Sequence, residues 1–94
     1  MAWFVYVLES ESTGRYYTGS TDDLTKRLDY HNRGLSPWTR GRGPWRLAYI
    51  EPYPTRGAAM QRERQLKRWR SHQSIQALIA SAETDNDRGV AQPG

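Results

Sequence analysis

"WFVYVLESESTGRYYTGST", residues 3–21, decides how this chain folds. Residues 3–9 are apolar almost without a break and rich in β-branched and aromatic side chains. That composition marks a buried strand. "SESTG" is a cluster of turn formers, and "RYYTG", residues 15–19, resumes as a second short strand. The two make an antiparallel hairpin. A register with Tyr6 opposite Tyr17 sets Glu9 opposite Gly14 and leaves residues 10–13 as the loop. Both phenols then lie on one face, close together. Tyr16 faces the other way.

"STDDLTKRLDYHNRG", residues 20–34, reads as a helix. Thr21 or Asp22 caps it, Asp23 favours its positive end, and Gly34 stops it. Leu24 and Leu28 face the core, with Arg27 and His31 flanking them on neighbouring turns. "GLSPWTRGRGP", residues 34–44, is a connection longer than most, the kind that is functional or mobile. "WRLAYIE", residues 45–51, alternates as a third strand. A second helix covers residues 55–70, its apolar stripe traced by Ala59, Met60, Leu66 and Trp69. A third covers residues 72–82, with Ile75, Leu78 and Ile79 facing inward. The polar tail, residues 83–94, is expected to be disordered. The expected fold is α+β: a three-stranded, mostly antiparallel sheet covered by helices, in β-β-α-β-α-α order. Residues 1–82 form its single domain.

A chain of 94 residues builds one compact core. It has no cysteine, which excludes disulfides and thiolate metal sites and fits the reducing cytoplasm. His31 and His72 do not stand at a zinc-ligand spacing. The apolar run of residues 2–8 is too short to span a membrane and lacks the basic flank of a signal peptide. Fourteen Lys and Arg against ten Asp and Glu give a net charge of +4. Twelve of those cations are arginine, whose planar fork suits phosphate.

Three groups of residues ask for more than packing. Glu63 falls within the face of the second helix that should be buried, where an unpaired carboxylate is costly. It is either the i,i+4 partner of Lys67 or a metal ligand, since magnesium needs only one or two carboxylates. Arg27 and His31 are either a solvated helix face or an edge turned to a phosphate. Arg40, Arg42 and Arg46 interleave with Trp38 and Trp45, and the second helix carries Lys67 and Arg68. That pattern suits a surface that tracks a nucleic-acid backbone and stacks bases, though a solvated face explains part of it.

Taken together, these residues resemble the GIY-YIG nuclease family. "FVY", residues 4–6, stands for the first motif, with Phe4 and Val5 in place of Gly-Ile. "YTG", residues 17–19, stands for the second at the family's usual gap. Arg27 and His31 match its helix motif, and "ERQLKRW", residues 63–69, matches the motif of its metal-binding glutamate. The resemblance runs from about Trp3 to Trp69 and is greatest to the small stand-alone bacterial members, which share "VYVL", "YTGST" and "TRGR.PW.L.Y".

The resemblance implies a metal-dependent DNA endonuclease with roles in DNA repair or processing, and leaves RNA open as a substrate. Glu63 would hold one Mg²⁺ or Mn²⁺, and Arg27 would bind the scissile phosphate. Tyr6 or Tyr17 would activate the attacking water, with Tyr6 preferred as general base and Tyr17 orienting water or phosphate. His31 would assist, and Gly19 would permit close backbone packing at the strand end. The alternative is a nucleic-acid-binding module of the same fold that cuts little or nothing.

Overall fold

The structure is a computed structural model that describes residues 2–69 and 71–91, and side chains as far as residue 82. Its central element is β1 (Trp3–Ser10), flanked by β2 (Tyr16–Thr21) and β3 (Trp45–Tyr53) in a three-stranded sheet of order β2-β1-β3. Both pairings are antiparallel. The near-continuous apolarity of β1 has a direct cause, because both its faces are covered. Val5 and Val7 face α2 (Arg56–Trp69) and α3 (His72–Ala91), packing with Ala59, Leu66, Ile75 and Ile79. Tyr6 and Leu8 face the opposite way and pack with Trp45, Tyr17, and Leu24 and Leu28 of α1 (Leu24–Asn32). Each such aliphatic side chain contributes about 1.5–3 kcal/mol by leaving water.

The hairpin forms, but in a different register from the expected one. Tyr6 pairs with Gly19, Leu8 with Tyr17 and Glu9 with Tyr16. The offset is two residues, so the phenols of Tyr6 and Tyr17 keep a common face. The reason is steric. A Cβ on residue 19 would lie 2.4 Å from Tyr6 Oη, so this phenol needs a glycine opposite it. The turn adjusts accordingly: Gly14 takes φ 74°, its N–H donates to Ser10 O at 2.9 Å, and Thr13 N–H donates to Ser10 Oγ at 3.0 Å.

The cap of α1 is Asp23, rather than Thr21 or Asp22. Its carboxylate accepts from Lys26 N–H at 3.0 Å. Thr21 still belongs to β2 and closes the turn before the cap, its Oγ1 accepting from Asp23 N–H at 3.1 Å. Gly34, at φ 74°, ends the helix as expected. On α2, Ala59 and Leu66 are buried, whereas Trp69 is exposed under the Arg62 guanidinium. Arg62 also ties α2 to β3 through a part-buried network. Glu51 accepts from Arg62 Nε at 3.0 Å, Arg62 Nη2 at 3.1 Å and Tyr53 Oη at 2.7 Å, and also from Tyr49.

The connection from α1 to β3 is ordered from within. Asn32 clamps the start of β3, donating to Trp45 O at 3.0 Å and accepting from Trp45 N at 2.7 Å. Ser12 Oγ donates to Gly43 O at 2.9 Å, and Ser10 Oγ donates to Arg42 O. Trp45, expected on the basic surface, is 5% exposed and donates its indole N–H to Thr39 O at 3.0 Å. It belongs to the core because it opens β3 opposite buried Ser10. The C-terminal boundary also differs. The backbone of α3 runs as helix to Ala91, beyond the residue 82 expected for the third helix, while residues 92–94 lie outside the described residues. No helix among the described residues is long and apolar enough to cross a membrane.

Candidate active site

β2 is an edge strand, with α1 over one face of the sheet and α2 over the other. A cavity of about 330 Å³ straddles that edge. Tyr6, Tyr17, Arg27, His31 and Glu63 all line it, although they come from β1, β2, α1 and α2. Gly19, between the two phenols and Ser20, also lines it. The five residues expected to carry chemistry thus meet in one place.

His31 is the hub. It is 3% exposed, so it is neither on a solvated face nor at a loose rim. Its Nε2 lies 3.0 Å from Tyr6 Oη and its Nδ1 lies 2.8 Å from Thr39 Oγ1. The Tyr17 ring tilts against it with centroids 4.9 Å apart, and Tyr30 meets it edge-on at 5.6 Å. Two hydroxyls and two aromatic rings therefore fix the imidazole in place. Thr39, 1% exposed, comes from the loop, where it opens the shared phrase "TRGR.PW.L.Y", but nothing in that phrase showed that it would reach His31. Its role depends on how residues 34–44 fold back over α1.

Burial, aided by the Arg27 charge, lowers the His31 pKa from 6.5 to about 4, so the ring is neutral at pH 7. Burial also raises the Tyr6 phenol well above its usual 10. Tyr17, Glu63 and Tyr30 add to that, and Arg27 opposes it. These directions make a prediction for stability. The unfolded chain takes up the His31 proton near 6.5, the folded chain only near 4. Stability is full above pH 6.5 and is lost as pH falls toward 4, by about 2–3 kcal/mol in all. Glu51 titrates lower. Burial raises its carboxyl, but hydrogen bonds from Arg62, Tyr49 and Tyr53 outweigh that and hold it below 4.5, so its loss of stability comes at more acid pH. Denaturation midpoints measured between pH 7 and 4 should fall for the native chain, and His31→Gln should flatten that slope.

Arg27 stands one turn before His31, its guanidinium 5.1 Å from the centre of the Tyr30 ring. On the other side of the cavity, Glu63 accepts from Ser20 Oγ at 2.6 Å and pairs with Lys67 Nζ at 2.6 Å. Glu63 is thus the i,i+4 partner of Lys67, and it also lines the cavity. Ser20 was not foreseen. Strand alternation places it on the α2 face, but only the tertiary fold brings it to Glu63. Lys67 is half-exposed, and such a pair contributes only about 0.3–0.5 kcal/mol. It is easily displaced. No cluster of three or more His, Cys, Asp and Glu exists among the described residues. The donor set therefore fits a hard cation that keeps waters and takes one carboxylate, not a metal caged by protein.

The expected nucleic-acid-binding residues separate into two kinds. Arg40 and Arg68 are exposed and form no ion pair among the described residues. Arg42 donates to Trp38 O at 2.8 Å, Arg46 pairs with Glu9, and Lys67 with Glu63. Trp38, 71% exposed, lines the cavity mouth beside Pro37.

A model of the GIY-YIG catalytic domain matches residues 2–76. The UPF0213 protein of Clostridium perfringens is 39% identical over 79 residues, covering 83% of each chain. A UPF0213 protein of Halobacterium salinarum is 44% identical over 64 residues, covering 67% of this chain and 82% of its own. Among solved structures, the solution NMR structure of a UPF0213 protein from Bacillus halodurans superposes with a TM-score of 0.53 at 36% identity, covering 85% of this chain and 84% of that one.

Proposed function

Because the chain belongs to the GIY-YIG catalytic-domain family, a nuclease family, we propose that it is a divalent-metal-dependent endonuclease that hydrolyses phosphodiester bonds in DNA, in repair or processing. One observation carries the reading: Tyr6, Tyr17, Arg27, His31 and Glu63, from four separate elements, converge on one cavity at a sheet edge.

Arg27 takes the scissile phosphate, and its fixed charge stabilises the transition state. Tyr17 orients the attacking water. Tyr6 is the general base, and His31 makes that role feasible. A phenol whose pKa burial has raised is a poor base by itself. With the imidazole proton on Nδ1, shared with Thr39 Oγ1, the neutral Nε2 accepts from Tyr6 O–H. As water loses its proton to Tyr6 Oη, the Tyr6 proton passes to His31 Nε2. Burial and Arg27 weaken that acceptor, a phosphate bound in the cavity strengthens it, and the ring then returns the proton to solvent. The hydroxide forms its bond to phosphorus, the bond to the leaving ribose oxygen breaks, and that oxygen takes a proton from solvent. Glu63 is the residue that would hold one Mg²⁺ or Mn²⁺. When bound, the cation stabilises charge on the phosphate and the leaving oxygen.

The Glu63–Lys67 pair competes with that cation, which gives a test without catalysis. Lys67→Met should tighten Mn²⁺ binding several-fold, read by electron paramagnetic resonance of the free ion. Unchanged affinity would remove Glu63 from the metal site. Function itself is tested with labelled single-stranded, duplex and branched DNA, and RNA, with and without Mg²⁺ or Mn²⁺. Metal-dependent cleavage is expected. That each Glu63 oxygen already has a partner, Ser20 on one and Lys67 on the other, favours one other reading, a binding module. Tight binding with no cleavage of any strand would establish it instead.

A further inference from the structure

Tyr17 separates the cavity just described from a second hollow of about 390 Å³. Ligand pockets fall at about 300–1,000 Å³, so it has room for one small planar group. Its floor is made by the buried core residues Leu66 and Ile75, its aromatic wall by Tyr16 and His72, and its rim by Arg15 and Lys67, with Tyr17 reaching it from the other face of the edge strand. The wall is held rigidly. Tyr16 stacks on His72 with centroids 4.5 Å apart and planes at 22°, and the His72 ring Nε2 lies 3.0 Å from Gly14 O in the hairpin turn. Neither hollow stands alone. Tyr17 lines both, and Lys67 on the rim reaches Glu63 with its ammonium while lying 5.8 Å from the centre of the Tyr17 ring.

An apolar floor, a fixed aromatic wall and a cationic rim recognise a flat π-system attached to an anion. Because Tyr17 lines both hollows and Lys67 joins the rim of one to Glu63 of the other, a phosphate in the catalytic cavity would direct its attached nucleoside toward the second hollow. We propose that this hollow is a nucleobase subsite, taking the base of the nucleotide next to the scissile phosphate, a reading that rests on the endonuclease assignment for its register. A base can enter only when it has left its partner and its stack. The subsite therefore selects an unpaired nucleotide at the point of cutting, by shape and stacking and without strong sequence preference.

The test is binding in EDTA, where no strand is cut. Fluorescence anisotropy compares oligo(dT) with a strand of the same length built from abasic tetrahydrofuran residues, which keeps the phosphates and removes the bases. The intact chain should prefer oligo(dT) by about tenfold or more. Ser71→Leu, at a position that lines the hollow away from the catalytic groups and whose hydroxyl caps α3 by accepting from Ser74 N–H at 3.2 Å, should erase that preference and leave affinity for the abasic strand unchanged. A strand carrying 5-iododeoxyuridine, irradiated in complex, should cross-link to Tyr16, Tyr17 or His72. Equal affinity of the intact chain for the two strands, or cross-links confined to Trp38, would overturn the subsite even if Ser71→Leu fails to fold. The parent reading fails differently. A base preference erased by Ser71→Leu, in a chain that cleaves nothing with Mg²⁺ or Mn²⁺, leaves the subsite standing and removes the nuclease.

Discussion

Gly19→Ala should cripple the site without altering a single titratable group. The added methyl carbon would stand 2.4 Å from Tyr6 Oη and 2.6 Å from Tyr6 Cζ. Tyr6 is 3% exposed, packed with Leu8 and Trp45, and tied to His31, so its ring has nowhere to retreat. Overpacking of this kind costs about 1–3 kcal/mol. The displaced hydroxyl must leave His31 Nε2, and a misplacement of about 1 Å is worth ~100-fold in rate. Both losses should appear, one as a lower denaturation midpoint and one as slower cleavage. A double-mutant cycle identifies the cause. Tyr6→Ala removes the clashing ring, so Gly19→Ala should cost little in that background, a coupling of about 1–3 kcal/mol. Additive stability losses would show that Gly19 serves the strand rather than the phenol.

Glu63→Ala should have the opposite signature, with activity lost and the fold kept. The substitution removes a weak exposed pair with Lys67 and one hydrogen bond from Ser20, together about 1–2 kcal/mol at most. The stabilisation that a held cation gives a phosphoryl transition state is several kcal/mol. Cleavage should therefore fall by about 10²–10³-fold or more, since each 1.4 kcal/mol is a factor of ten. Circular dichroism and DNA affinity in EDTA should remain close to those of the native chain. Cleavage surviving Glu63→Ala at the native rate would sink the metal assignment.

Much of the fold is legible in residues 3–21, because a strand covered on both faces must be apolar at consecutive positions. The register of the hairpin is not, and the reason is specific. Period-two alternation is blind to a shift of two residues, and the shift is decided by which residue leaves space for the Tyr6 phenol. The helix cap shows the same limit at smaller scale. Thr21, Asp22 and Asp23 are all capping types, and only the point where β2 releases the chain selects Asp23. Trp45 misled for a different reason. Its arginine neighbours suggest a surface, while its burial follows from opening β3 against Ser10. Of the site itself, Tyr6, Tyr17, Arg27, His31 and Glu63 were visible as motif positions. Their supporting contacts were not, although Thr39 and Ser20 lie inside the shared phrases "TRGR.PW.L.Y" and "YTGST". Thr39 and Ser20 reach His31 and Glu63 only through the tertiary fold, and a serine or threonine in a loop or strand has many commoner uses.

The connection between α1 and β3 separates two tasks that a single loop usually confounds. Its base is fastened by Asn32, by Ser10 and Ser12, and by the indole of Trp45, and that fastening holds Thr39 against His31. Its exposed crest, Leu35, Trp38 and Arg40, shares none of those ties through its side chains. The crest is thus a cassette. Residues there are free to be exchanged, by evolution or by design, to retune which strands are gripped while the proton-handling pair stays in register.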